Sequence, residues 1–318
     1  MTAKVVLLVT SPRLPAGLLT AAAWDAVRGH PVLAGAQSGL TAALRGAGVS
    51  VTIAEPTAAA VLDAVAARGT VVWLSSPGGD PDLARELGLR LAREPGLAEL
   101  ELMYGSWDPP GARLLDAVAV MDRLYSPGGD PWKRQQTHES LARFLLEECY
   151  EAYDAIEAGD LAALREELGD VLLQVVLHAR IAEELPEGER WSADDVAAGL
   201  VDKMVRRNPH VFAGSAVETV DEIVEQWEQI KRAEKARDSV LDGLAMSQPA
   251  LALAATLLRK AARAGLDVPA PEGDDLGSRL FRTVAEAVAA GEDPEAALRR
   301  VALAYADAVR AAERRSAR

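Results

Sequence analysis

Two acidic stretches decide the fold of this chain: Leu145-Leu146-Glu147-Glu148-Cys149-Tyr150-Glu151 and Glu166-Glu167-Leu168-Gly169-Asp170-Val171-Leu172. Each stretch places two acids three residues apart, a spacing that puts both side chains on one face of a helix. In the second stretch the acids flank the apolar stripe that a bundle helix buries. The turn Gly159-Asp160 lies between the two stretches, so we expect an antiparallel helical hairpin that brings the acidic pairs face to face.

The clustered acids predict a site for a hard divalent cation. Like charges at helical spacing repel, and the repulsion grows when the cluster leaves water, so a cluster at a helix seam needs cations to neutralise it. Ligand sets made only of oxygen favour Mg²⁺, with Mn²⁺ as a second fit. The alternative is a solvated acidic helix face, which explains most isolated pairs of this kind. The candidate residues are Glu147, Glu148, Glu151, Glu167 and Asp170.

Helical patterns continue on both sides of this hairpin, from Ala112 to the end of the sequence. Asp160 is a candidate N-cap for the second acidic helix, and Ser192 with Asp195 resembles a capping box for the next one. Pro209 is expected to stop that helix at Asn208. The predicted helices are Ala112–Leu124, Ser140–Ala158, Leu161–Leu185, one from Ser192 to Asn208, Thr219–Lys235 and three between 245 and 318.

The first 108 residues follow a different pattern, in which short β-rich runs alternate with helical stretches such as Leu19–Arg28 and Asp82–Arg93. This alternation is typical of a parallel α/β unit. We therefore predict an α+β multidomain protein. Its parts are a small parallel α/β domain over 1–108, an all-α helical bundle over 112–240 and a further helical region over 245–318. The predicted strands are Val5–Val9, Val49–Ala54, Val71–Ser75 and Leu97–Met103.

Composition narrows the classes of partner. The net charge of −14 disfavours binding to nucleic acid or to anionic lipid. No apolar run approaches the ~20 residues of a membrane span, and Cys149 is the only cysteine. We therefore expect a cytoplasmic protein without nucleic-acid or membrane partners. Cys149 is predicted to be a small packing residue, and His138 and His210 show no catalytic or metal partners in the sequence.

Longer motifs resemble the MazG-type nucleoside triphosphate pyrophosphohydrolases. The two acidic stretches are similar to the EExxE and ELGD signature of that family. The resemblance covers about residues 112–240, and it implies an all-α catalytic fold and assembly as a homodimer or higher homo-oligomer. The other matching segments are Ser126-Pro127-Gly128-Gly129-Asp130-Pro131-Trp132, Gln136-Thr137-His138, Lys203-Met204-Val205-Arg206-Arg207-Asn208-Pro209-His210-Val211-Phe212 and Trp227-Glu228-Gln229-Ile230-Lys231.

The resemblance also implies an activity, which is Mg²⁺-dependent hydrolysis of nucleoside triphosphates, ribo- or deoxyribo-, to the monophosphate and pyrophosphate. This is expected of a house-cleaning enzyme that removes unwanted nucleotides. Glu148, Glu151, Glu167 and Asp170 would bind Mg²⁺, and Glu147 would bind metal or orient water. The residues implied in substrate binding are Lys203, Arg206, Arg207, Trp227, Lys231 and Trp132.

The two ends of the chain resemble other modules in part. Gly17-Leu18-Leu19-Thr20 and Gly79-Asp80-Pro81 resemble a truncated tetrapyrrole-methylase unit, although Ser11-Pro12-Arg13-Leu14-Pro15 replaces its glycine-rich turn. Residues 245–318 resemble a degenerate second MazG-like repeat without paired acids, so one acidic site is expected. Two alternatives stay open at this point: a non-catalytic nucleotide-binding regulatory protein, and a methyltransferase with a helical appendage.

Overall fold

The computed structural model describes residues 3–76, 79–214, 219–220, 222–223, 226–227, 229–230 and 239–316. The chain forms two compact units, Met1–Ala198 and Gly199–Arg318. The division into domains at 1–108, 112–240 and 245–318 stays a prediction. The α+β architecture is confirmed, because one parallel sheet precedes a series of helices.

The first unit begins with a five-stranded sheet in the order β3-β2-β4-β1-β5, in which every pairing is parallel. The four predicted strands are present with small shifts of their ends, and β2 is an additional strand of three residues. The strands are β1 Lys4–Val9, β2 Val32–Ala34, β3 Val51–Ile53, β4 Val71–Leu74 and β5 Glu99–Tyr104.

Helices cover both faces of this sheet, which explains why its central strands are apolar throughout. Residues of α1 and α2 pack with Val6 and Leu8 of β1, whereas α3 and α4 pack with Val5 and Leu7. Trp73 of β4 is fully buried, and its indole Nε1 donates a hydrogen bond to Asp80 at 2.7 Å. The four helices are α1 Ala21–Gly29, α2 Gly39–Gly46, α3 Ala58–Arg68 and α4 Pro81–Arg93.

The acidic stretches lie on α6 and α7, which form the predicted hairpin. Gly159 ends α6 in the left-handed conformation, with φ +67, and Asp160 caps α7 by accepting hydrogen bonds from two backbone N–H groups at 3.0 Å. A capping box made by Thr137 and Ser140 starts α6 two residues before the predicted position. Next to the hairpin, α5 supplies Met121 and Tyr125 to a shared apolar core. The bounds are α5 Arg113–Tyr125, a 3₁₀ turn Lys133–Gln135, α6 His138–Ala158 and α7 Leu161–Ala182.

The remaining helices follow the predicted order. The predicted capping box of α8 is present, since Ser192 and Asp195 exchange hydrogen bonds. This helix ends at Arg207, and Pro209 opens a short helix of its own. The predicted helix Thr219–Lys235 lies partly outside the described residues. The last helices are α8 Ala193–Arg207, α9 Pro209–Phe212, α10 Ala250–Arg263, α11 Leu276–Ala289 and α12 Pro294–Ser316. Within the part of the chain that is described, no helix is long and apolar enough to cross a bilayer.

Candidate metal and nucleotide site

Three of the five predicted acids converge between α6 and α7. Glu148 and Glu151 lie one helical turn apart on α6, and Glu167 faces them from α7. One carboxylate oxygen from each of the three residues can be chosen so that all lie within 4.8 Å of one another. Glu148 and Glu167 are half-buried, whereas Glu151 is exposed. The hairpin therefore assembles one face of carboxylates from two helices, as the spacing predicted.

Asp170 and Glu147 lie at the margin of this cluster. Asp170 is half-buried one turn after Glu167, and its charge raises the pKa of both Glu148 and Glu167. Glu147 is exposed, and its charge also raises the pKa of Glu148. We call these five acids the acidic patch, in which three carboxylates converge and the other two act on Glu148 through their charges.

The electrostatics of this patch are repulsive. Burial is the largest cause that raises the pKa of Glu148 above its ordinary value, followed by the charges of Asp170, Glu151, Glu147 and Glu167. Burial is also the largest cause that raises the pKa of Glu167, followed by the charges of nearby carboxylates and a hydrogen bond with Glu151. Every neighbouring charge named here is negative. Such a half-buried set is costly on its own and suits a hard divalent cation, which binds several carboxylate oxygens and offsets their charge.

The predicted substrate-binding residues lie on other elements. Lys203, Arg206 and Arg207 are on the part of α8 that belongs to the second unit, with Lys203 and Arg207 half-buried and Arg206 exposed. The Arg207 guanidinium lies 5.2 Å from the ring centroid of Trp227, a cation–π contact. The predicted residue Lys231 lies outside the described residues.

Trp132, in the first unit, is half exposed next to the start of α6. Its ring meets that of Phe144 edge-to-face at 5.9 Å between centroids, and the Lys133 ammonium lies 5.6 Å from its centroid. Asp130 accepts a hydrogen bond from Lys133 at 3.1 Å. This loop therefore presents an aromatic face beside a cation whose charge is partly neutralised.

Comparison with known proteins identifies the family. The MazG nucleotide pyrophosphohydrolase domain matches residues 136–212. An uncharacterized 26.1 kDa protein of Streptomyces cacaoi is 50% identical over 239 residues, which cover 74% of this chain and 96% of that protein. The nucleoside triphosphate pyrophosphohydrolase/pyrophosphatase MazG of Thermotoga maritima is 37% identical over 209 residues, which cover 58% of this chain and 79% of that protein. The chain belongs to the MazG family of nucleotide pyrophosphohydrolases.

The match to the MazG domain extends from just before α6 to the end of α9, so it includes all five acids and the basic residues of α8. The nucleoside triphosphate pyrophosphohydrolase of Mycolicibacterium smegmatis is 48% identical over 207 residues. These cover 64% of this chain and 60% of that protein, so the chain matches about three fifths of that longer relative.

A pair of histidines in the MazG domain was missed from the sequence. The Nδ1 atoms of His138 and His178 lie 2.7 Å apart, and the two rings are stacked at 5.0 Å between centroids. The ring of Trp191 also stacks with that of His138, at 6.0 Å between centroids. Burial, and then the nearby His138, lower the pKa of His178. His138 lies about 20 residues before Gly159 and His178 about 20 residues after it. Positions at equal distances from the turn of an antiparallel hairpin lie side by side, so this spacing was the signal that could have predicted the contact.

Cys149 and Gln174 have surroundings that are unusual for their residue types. Cys149 is exposed, contrary to the prediction that it is a small packing residue. It directly follows Glu148, and its neighbours Leu146, Glu147, Tyr150 and Glu151 on α6 are exposed as well. Gln174 is buried on α7, and its side-chain Oε1 has no hydrogen-bond partner among the described residues.

A cavity of about 460 Å³ lies away from the acids, at the carboxyl ends of the sheet strands. Its walls include Ser11 after β1, Gln37 after β2, Ser75 after β4 and Ser106 after β5, with Asp80 as the charged group. None of the five acids lines it. A cavity without basic side chains among its described walls suits a triphosphate poorly, so the chemistry of the MazG domain points to the acidic patch and not to this cavity.

Proposed function

We propose that this chain hydrolyses nucleoside triphosphates to the monophosphate and pyrophosphate at the acidic patch, with Mg²⁺ held by Glu148, Glu151, Glu167 and Asp170. One observation carries the proposal. Carboxylates from two helices converge within 4.8 Å while burial and mutual repulsion raise the pKa of two of them. The relatives from Mycolicibacterium smegmatis and Thermotoga maritima support it, because both are named as nucleoside triphosphate pyrophosphohydrolases.

The residues of the patch fit the demands of this reaction. Mg²⁺, or Mn²⁺ in its place, would offset the charge on the triphosphate and lower the pKa of a bound water. The carboxylates would supply the negative oxygens that hold the ion, and the helices would keep these oxygens in place. Glu147 lies at the exposed margin, where its carboxylate would accept a hydrogen bond from the attacking water or bind the metal. Cleavage between the α- and β-phosphates then releases pyrophosphate.

Positive side chains are needed to bind the substrate's triphosphate. We assign this role to Lys203 and Arg207, which are four residues apart on α8 and so share a face. Trp227 would contact the nucleotide, and its contact with Arg207 supports a joint role. Arg206, Trp132 and Lys231 complete the proposed substrate-binding set.

The biological setting belongs to the same proposal. We propose that the activity removes unwanted nucleotides in the cytoplasm. We also propose a homodimer or higher homo-oligomer. The support is the exposed apolar surface of α8, where Leu200 and Val201 are more than half exposed and Val196 and Met204 are also exposed. Clustered exposed apolar side chains are typical of a surface that another chain covers.

A hydrolysis assay tests the proposal. Pyrophosphate release would be measured with Mg²⁺ on a panel of ribo- and deoxyribonucleoside triphosphates, normal and oxidised. We expect turnover by the wild type and losses of at least about 100-fold for Glu148→Gln and Asp170→Asn. The matched control is Glu157→Gln, an exposed glutamate near the end of the same helix, which should keep wild-type turnover. Activity that survives both site substitutions would reject the site, and no turnover of any nucleotide would favour a regulatory binding protein.

A further inference from the structure

The last helix of the second unit presents an apolar stripe to solvent. Pro294 is the one buried residue of α12. Between residues 301 and 316, only Ala306 and Ala311 are partly covered. Val301 and Tyr305 are 66% and 72% exposed, and Leu298 and Val309 are 58% and 41% exposed. About 24 Å of helix therefore extends with little packing from its neighbours.

This stripe has the spacing of a coiled-coil seam. Leu298, Ala302, Tyr305, Val309 and Ala312 follow one another at steps of four, three, four and three residues. Steps of four and three keep side chains on one face, where a second helix can pack knobs into holes. Charged residues such as Arg300, Asp307 and Arg314 lie around the other sides of the helix. A helix segment of this length is marginal in water without such packing.

The charges along α12 favour one orientation of a partner helix. Acids lie at or just before its start, Glu292, Asp293 and Glu295, and arginines lie near its end, Arg310, Arg314 and Arg315. Charges of the opposite sign are interspersed, namely Arg299 and Arg300 in the first half and Glu313 near the end. An antiparallel copy would place acids beside arginines at both ends, whereas a parallel copy would place like charges together. The seam is also centred, because Leu298 and Ala312 are equally distant from Tyr305. A two-fold axis at Tyr305 would therefore place a large side chain opposite a small one at each end.

We propose that α12 is a homotypic docking surface, which pairs antiparallel with α12 of a second copy of this chain about an axis at Tyr305. A symmetric contact of this kind presents the same surface from both copies and closes on itself. The proposal uses only residues of the second unit's last helix. It does not depend on the acidic site or on its activity.

Disulfide cross-linking tests the axis directly on the full-length chain. Cys149→Ser removes the native thiol, which is exposed, and single cysteines are then introduced. Tyr305→Cys should form a disulfide-linked dimer in high yield under mild oxidation, because the two copies meet there. Asp307→Cys, on the opposite side of the same helix, should remain mostly monomeric on denaturing gels. Equal yields for both variants, or no dimer with Tyr305→Cys, would overturn the proposal.

A third cysteine tests the orientation. Leu298→Cys should cross-link poorly with itself, since the antiparallel copies separate these positions by about 20 Å. High yield at this position would show a parallel pair and would overturn the antiparallel arrangement.

Sedimentation of Val309→Glu tests the surface without oxidation. A charge in the seam should weaken the self-association through α12 by about 10-fold or more, while pyrophosphate release per chain stays at the wild-type level. Unchanged self-association would count against the proposal. If Tyr305→Cys cross-links as expected but no pyrophosphate is released by the wild type, the catalytic proposal fails while the docking proposal stands. The two proposals can therefore fail separately.

Discussion

Replacing Glu148 by glutamine is expected to stabilise the metal-free protein and to abolish its activity. The side chain is half-buried among four other carboxylates that raise its pKa, and the change removes one negative charge while keeping its shape. Without metal, the neighbouring carboxylates repel Glu148 and lower the stability of the wild type, although the same carboxylates are proposed to bind the cation. Stability and activity should therefore move in opposite directions.

The size of the effect follows from the separation of the charges. Two unit charges at 4.8 Å repel by about 0.9 kcal/mol in bulk water. Glu151 and Glu167 lie within this range, and screening at physiological ionic strength reduces their combined effect to about 1 kcal/mol. Asp170, whose charge is the largest of those that raise the pKa of Glu148, adds to this repulsion. For a unit of this size, 1 kcal/mol corresponds to a rise of about 2–4 °C in Tm.

Thermal unfolding in chelator and in Mg²⁺ measures this change. In chelator, Glu148→Gln should have a higher Tm than the wild type. The control Glu157→Gln should have the same Tm as the wild type. Mg²⁺ should then stabilise the wild type by about 2.7 kcal/mol at 100 times its dissociation constant, and Glu148→Gln by much less. Because the folded-state pKa of Glu148 is raised, its penalty grows as pH rises through that pKa. The gain from the substitution should therefore vanish well below the ordinary value of 4.5. A variant that melts below the wild type in chelator would refute this reasoning.

Three other changes have defined outcomes. Burial lowers the pKa of His178 below its ordinary 6.5. The unfolded chain therefore binds a proton at this residue before the folded protein does, and the stability should fall as pH drops below about 6.5. His178→Phe should flatten this pH dependence, which urea titrations at several pH values measure. Gly129→Ala should destabilise the fold strongly, because its Cβ would overlap the backbone oxygen of Leu124; an unchanged urea midpoint would contradict this. Gly159→Ala should cost about 1 kcal/mol, since Gly159 adopts a left-handed conformation, and the same titration measures it.

The sequence predicted the helices of the MazG domain well because strong local signals mark their ends. Asp160 caps α7, and Gly159 breaks the chain between two amphipathic patterns, so the hairpin could be placed to within a few residues. β2 was missed because Val32–Ala34 is too short to show periodicity. Its identity as a strand depends on pairing with β3 and β4, which are distant in sequence.

The clustering of the acids was predictable because these residues share helix faces, whereas contacts made by the tertiary fold were less predictable. The three-residue spacing of Glu148 and Glu151, repeated by Glu167 and Asp170, was enough to predict a seam of acids. The stacked pair of His138 and His178 was not predicted, because each residue alone resembles an ordinary core histidine. Their contact arises from the register of two helices, which apolar periodicity fixes only within about one turn.

The products of the reaction test the central claim most directly. A nucleoside triphosphate would be incubated with the protein and Mg²⁺ and followed by ³¹P NMR, with Glu167→Gln and a chelator-treated sample beside it. We expect the signals of the monophosphate and pyrophosphate in equal amounts from the wild type, and an unchanged triphosphate in the other two samples. Diphosphate with inorganic phosphate, or equal turnover in all three samples, would contradict a metal-dependent pyrophosphohydrolase at these carboxylates.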